Sequence, residues 1–213
     1  MVDLSNPSTG TTLIDLSTTG NGGQVGMVGD VNGDGLGDLG LGASPALGVI
    51  LFGRREFPPS VDIAAELSTG RAARVSIPGA FGRFLFTPAG DIDGDGIGDL
   101  AIGVPSRTMG PDRGEGEVIL LGGRRAWPAE IDLTRPEAVL GRLRGGPGEV
   151  LASVLSGAGD INGDGRPDLL AATRTPRRAY LIFGPQAAPG DRLISEYIVR
   201  RRRGLRPRGG TDR

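Results

Sequence analysis

Short apolar runs, punctuated by glycine and aspartate, follow one another along the chain without a sustained helical period. One run leads into an acidic segment three times, at Gln24–Gly29, Phe84–Gly90 and Leu151–Gly159. A second leaves it, at Leu39–Ala43, Leu100–Val104 and Leu169–Ala172. A third follows after a connection, at Gly48–Phe52, Glu117–Leu121 and Ala179–Phe183. A fourth and more polar run lies at Ala73–Ile77 or Ala138–Leu143. Runs this short, bounded by turn residues, predict strands rather than helices. Each acidic segment then joins two antiparallel strands as a long hairpin connection.

The acidic segments start at Asp30, Asp91 and Asp160, with spacings of 61 and 69 residues. A second landmark repeats with them. Gly53-Arg54-Arg55-Glu56-Phe57-Pro58 aligns with Gly123-Arg124-Arg125-Ala126-Trp127-Pro128 at an offset of 70. Val61-Asp62-Ile63 aligns with Ile131-Asp132-Leu133, and Ile14-Asp15-Leu16 is a further echo. Four strands in about 60–70 residues make one sheet, and one sheet per repeat predicts a propeller blade. The expected fold is therefore all-β, with about three four-stranded antiparallel blades in an incomplete or open propeller. Three units are too few to close a ring, since propellers have about four to eight blades, so the chain is expected to be a fragment, a member of a larger assembly (a homo-oligomer or part of a larger propeller) or an open array. The expected division is an extension at 1–11, repeats at 12–53, 54–123 and 124–199, and a disordered Arg-rich tail at 200–213. Asp15 to Asp30 spans only 15 residues, against 29 from Asp62 to Asp91, so the first unit is expected to lack an outer strand. Pro105–Gly116 reads as a mobile exposed loop, and Leu193–Val199 as the last candidate strand.

The acidic segments carry the candidate chemistry. Asp91, Asp93, Asp95 and Asp99 fall at positions 1, 3, 5 and 9 of a nine-residue loop. The copies are Asp30, Asn32, Asp34 and Asp38, and Asp160, Asn162, Asp164 and Asp168. Hard cations such as Ca²⁺ take about six to eight oxygen ligands. These side chains, with the backbone carbonyls of Leu36, Ile97 and Arg166 at position 7, form three candidate metal sites. Glycine at positions 4 and 6 permits the left-handed turns that a loop wrapping one ion needs. With four carboxylates, the second loop is expected to bind most tightly.

Composition narrows the reading. Hydrophobic residues make up 38% and aromatics 4%, so the core must be aliphatic. No Cys or His is present, which removes Cys/His zinc sites, thiol catalysis and Ser-His-Asp triads. All 24 basic residues are Arg. No run approaches the ~20 apolar residues of a membrane span. Met1-Val2-Asp3-Leu4 has neither a basic region nor an apolar run and does not read as a signal peptide, so the expectation is either an intracellular protein or a fragment whose export signal lies elsewhere.

Gly29-Asp30-Val31-Asn32-Gly33-Asp34-Gly35, followed by Asp38-Leu39 and Leu41-Gly42-Ala43-Ser44, resembles the FG-GAP repeat of integrin α-subunit β-propellers and their bacterial relatives. The FG element matches Phe52-Gly53 and Phe183-Gly184, with Leu121-Gly122 in the middle copy. The GAP element matches Gly42-Ala43-Ser44, Gly103-Val104-Pro105 and, degraded, Ala171-Ala172-Thr173. The resemblance implies Ca²⁺ in the hairpin loops, up to three ions here, and an extracellular or cell-surface adhesion module that binds a protein or glycan. In integrins the partner is bound by other loops, mainly on the opposite face.

Competing readings are weaker. An EF-hand needs a bidentate Glu at position 12, where Leu41, Ile102 and Ala171 stand. Gly35-Leu36-Gly37-Asp38-Leu39-Gly40 matches a dinucleotide fingerprint by letter, but carboxylates surround it and no helix follows. Asp62 and Asp132 occupy equal places in the repeats, which suits turn-forming roles and not catalysis. The chain is thus not expected to be an enzyme. It can instead be the non-catalytic accessory of a secreted hydrolase encoded elsewhere. A third possibility, nucleic-acid binding by the Arg-rich tail, ranks below solvation of a disordered end.

Overall fold

The computed structural model describes residues 12–15, 21–44, 47–79, 82–105, 114–184 and 190–193. The Arg-rich tail, residues 106–113 of the long loop, and the candidate strand beyond Leu193 lie outside them.

Three hairpins form where the apolar runs predict them. In the first, β2 (Asn21–Gly29) pairs antiparallel with β3 (Asp38–Ser44), and β3 with β4 (Leu47–Leu51). In the second, β7 (Leu85–Gly90), β8 (Asp99–Val104) and β9 (Glu117–Leu121) pair likewise. In the third, so do β12 (Val154–Gly159), β13 (Asp168–Thr173) and β14 (Arg178–Ile182). The fold is all-β and blade-like.

The outer edges differ from the expectation. The first sheet does have an outer strand: β6 (Ala72–Ser76) pairs antiparallel with β4. The second gains β11 (Gly141–Arg144) against β9. Among the described residues it is the third sheet that stops at three strands. Each blade's outer strand is supplied by the chain that follows its third strand, so counting residues backwards from a loop assigned it to the wrong sheet. Of Ala138–Leu143, the first residue ends a 3-10 turn (Pro136–Ala138), and only the end is strand.

Three-residue and four-residue parallel strands join neighbouring repeats, which is why two sheets have five strands and not four. After β4 the chain forms β5 (Ser60–Asp62), which pairs with β1 (Leu13–Asp15). After β9 it forms β10 (Glu130–Asp132), which pairs with β6. After β14 it forms β15 (Gly190–Leu193), which pairs with β11. Asp62 caps the short helix α1 (Ile63–Ser68) by accepting from the Ala64 N–H at 2.9 Å. Asp132 accepts from the backbone and hydroxyl of Thr134. Both acids therefore close turns. α1 runs on good helix formers, Ala64-Ala65-Glu66-Leu67, too briefly to show a period.

Apolar layers lie between consecutive sheets. Phe86, Ile102 and Ile119 of the second, with Phe84 just before β7, pack with Val28, Ile50 and Val75 of the first. Leu155, Leu169 and Ala171 of the third pack with Ala89, Val118 and Leu143 of the second. Leu41, Val49 and Leu51, on the other face of the first sheet, are covered by Val61 and Ile63.

Candidate metal centre

Each acidic loop begins at a β-bulge. The pairing register shifts between Met27 and Gly29, between Pro88 and Gly90, and between Gly157 and Gly159. The last glycine in each case has positive φ, at 86°, 69° and 64°. This explains the glycine that precedes every loop: the bulge needs a left-handed residue to turn the chain off the ladder. Positions 4 and 6 also have positive φ, at 84° and 85° for Gly94 and Gly96.

The first aspartate is the centre of the curl. Asp91 accepts from the Gly94 N–H at 2.7 Å and from the Gly96 N–H at 2.9 Å. Asp30 and Asp160 do the same with Gly33 and Gly35, and with Gly163 and Gly165. Position 3 accepts from the position-5 N–H, and position 5 from the position-7 N–H of Leu36, Ile97 or Arg166. The loop amides thus draw the side-chain oxygens together.

The ninth residue is the hub. Asp38, Asp99 and Asp168 are buried, at 0%, 1% and 1% exposure, while Asp91, Asp93 and Asp95 are exposed. Asp99 accepts from the Ile92 N–H at 2.6 Å and from the Gly123 N–H at 2.8 Å. Asp38 takes Val31 and Gly53, and Asp168 takes Ile161 and Gly184. Each hub ties the loop to the glycine that follows the third strand. In the sequence that glycine stands only as a repeat marker, and the FG reading sets it at Gly122 in the middle copy, where the structure has Gly123 in the place of Gly53 and Gly184. Burial pushes the Asp38 and Asp99 carboxyls above the usual carboxylate range, against the pull of N–H groups from Gly53 and Val31, and from Gly123 and Ile92. Neighbouring carboxylates push the same way, Asp34 and Asp30 in one loop and Asp93 in the other. Without a cation, ionising such a group as pH rises through its folded-state pKa removes stability; a bound cation offsets that loss.

The loops are not equal. In the second, carboxylate oxygens of Asp91, Asp93 and Asp99 lie within 4.8 Å of one another. It is the one such cluster among the described residues, and Asp95 is outside it. In the first and third, an asparagine at position 3 donates from Nδ2 to the position-5 carboxylate, at 3.0 Å for Asn32–Asp34 and 2.8 Å for Asn162–Asp164. Two carboxylates at such a separation repel by about 1 kcal/mol in water and about 3 kcal/mol at a protein-like dielectric. A convergent, all-oxygen anionic donor set fits a hard divalent cation.

The second repeated motif also acts on a loop. The Arg124 N–H and Trp127 Nε1 both donate to the Val31 carbonyl, at 2.9 and 3.0 Å, and the Gly98 N–H donates to the Asp30 carbonyl. The first loop is therefore anchored by the second blade. Arg124 lies over the Trp127 ring, as Arg54 lies over Phe57.

Blade-like sheets whose inner hairpins turn through oxygen-rich nine-residue loops define a class of repeat. Residues 87–121, which take in β7 from Thr87 on, the second loop, β8 and β9, match the FG-GAP repeat. The match falls in the central unit, on the segment whose motifs resemble that repeat. No helix among the described residues is long and apolar enough to cross a membrane.

Proposed function

We propose that the chain is a non-catalytic, calcium-binding repeat module that works outside the cell and presents its loops to a protein or glycan. The observation that carries this reading is the threefold recurrence of one oxygen-rich loop with one hydrogen-bond plan, built on a buried aspartate. Asp91, Asp93, Asp95 and Asp99, with the Ile97 carbonyl, would hold one Ca²⁺. Asp30, Asn32, Asp34, Asp38 and the Leu36 carbonyl would hold a second. Asp160, Asn162, Asp164, Asp168 and the Arg166 carbonyl would hold a third. The ion's role is structural, since it offsets repulsion among side chains that the loop amides already gather.

The second loop is the tightest site, because it has one more carboxylate and no asparagine amide against its position-5 acid. Calorimetric titration of Ca²⁺ into Asp34→Ala, Asp95→Ala and Asp164→Ala variants tests the ranking. Asp95→Ala should abolish the highest-affinity phase and the other two should spare it. Survival of that phase in Asp95→Ala contradicts the assignment.

A further inference from the structure

We propose that the first and second acidic loops bind cations cooperatively, while the third binds on its own. The inference rests on the calcium reading above and adds a dependence of one site on another.

A chain of hydrogen bonds joins the hubs of the first two loops. Asp38 accepts from the Val31 N–H at 2.9 Å. The Val31 carbonyl accepts from the Arg124 N–H at 2.9 Å and from Trp127 Nε1 at 3.0 Å. Gly123, next to Arg124, donates to Asp99 at 2.8 Å. A second link runs directly between the loops: the Gly98 N–H donates to the Asp30 carbonyl at 3.1 Å. Gly98 stands between the Ile97 carbonyl and Asp99, two ligands assigned to the second cation. The third link is apolar. Ile97 is buried, and a Cβ on Gly33 of the first loop would lie 3.4 Å from its Cγ1. These links partly cover the first loop. Asp30, Asn32 and Gly33 are half-buried, whereas Asp91, Asp93 and Gly94 are exposed.

The third unit lacks the atoms for the same links to the second loop. In the place of Gly98 stands Pro167, which has no N–H to donate. Gly184 donates to Asp168 as Gly123 does to Asp99, so the residue in the place of Arg124 is Pro185. Pro185 lies outside the described residues, but it too has no N–H. Counting on from it, Ala188 takes the place of Trp127 and has no side-chain donor. Position 7 is the exposed Arg166, and a Cβ on Gly94 would meet nothing within 4 Å. The second and third sheets still share an apolar layer, so the difference is confined to the loops.

Filling the second site orders Ile97, Gly98 and Asp99, and through them the groups that hold Asp30 and Val31. The first loop then binds from a more ordered state and loses less conformational freedom, which raises its affinity. The coupling is reciprocal. It ends at the two prolines.

The test is a Ca²⁺ titration of the full chain, followed by the amide NMR signals of Gly35, Gly96 and Gly165, one in each loop. Asp95→Ala disables the second site. It should weaken the first site about fivefold or more and change the third by less than about twofold. Trp127→Phe removes one donor to Val31 and keeps a ring where the first unit has Phe57. In chelator it should speed solvent exchange of the Val31 amide about fivefold and leave that of Ile161 unchanged. A titration in which no glycine signal moves removes the calcium reading and this inference with it. Signals that move in all three loops, with the first site indifferent to Asp95→Ala or the first and third weakened alike, overturn the cooperativity alone. So does Val31 exchange that Trp127→Phe leaves unchanged.

Discussion

Asp99→Ala is expected to be the most damaging single change in the acidic loops, costing about 3–5 kcal/mol even without calcium. The carboxylate accepts from the N–H groups of Ile92 and Gly123, with a longer contact to Asp93, and is 1% exposed. Alanine leaves those buried donors unsatisfied, at about 1–3 kcal/mol each. Desolvation of the carboxylate partly offsets this, since its removal relieves the burial that raises its pKa. Asp91→Ala makes a useful contrast. Its side chain also accepts two N–H bonds, but it is exposed and water can replace it. Urea denaturation in chelator should therefore separate the two variants by about 2 kcal/mol or more. Equal losses would mean that position 9 is only another ligand.

Gly123→Ala should rank second, at about 3 kcal/mol. A Cβ there would overlap the Gly98 carbonyl and lie 2.7 Å from Ile97 Cγ2. The obstacle is backbone, which cannot rotate away as a side-chain tip can. The glycine is needed for this close approach, which lets its N–H reach Asp99. Gly53 and Gly184 meet the same obstacle in the Gly37 and Pro167 carbonyls. Gly94→Ala is the control: open space surrounds its Cβ, although its φ of 84° still imposes strain. Thermal unfolding of the variants measures the difference, and a milder effect for Gly123→Ala than for Gly94→Ala would contradict the packing argument.

The loops and the three inner strands of each blade were legible because both signals are local. The aspartate spacing fixes the turn, and the apolar runs on either side fix the hairpin. What the sequence hid depends on distant partners. β1, β5 and β10 are three residues long, too short for any alternation, and pair across 47 residues for Ile14 and Val61 and 56 for Val75 and Ile131. Ala73–Ile77 reads as a strand, but counting back from the next loop places it in the wrong sheet, since its partner β4 is separated from it by α1. The hub role of Asp99 was concealed for a related reason: its second donor, Gly123, is 24 residues away, and spacing within the loop made it look like one ligand among four.

The central proposal is that a divalent cation in each loop offsets the repulsion among its carboxylates and so stabilises the fold. Its most direct test is a pair of thermal melts of the full chain, in excess Ca²⁺ and in chelator. One site filled at a hundred times its dissociation constant adds about 2.7 kcal/mol. For a chain of this size that raises Tm by about 5–10 °C, and Asp95→Ala should lose much of the gain. Melts that superimpose in the two buffers would contradict the claim.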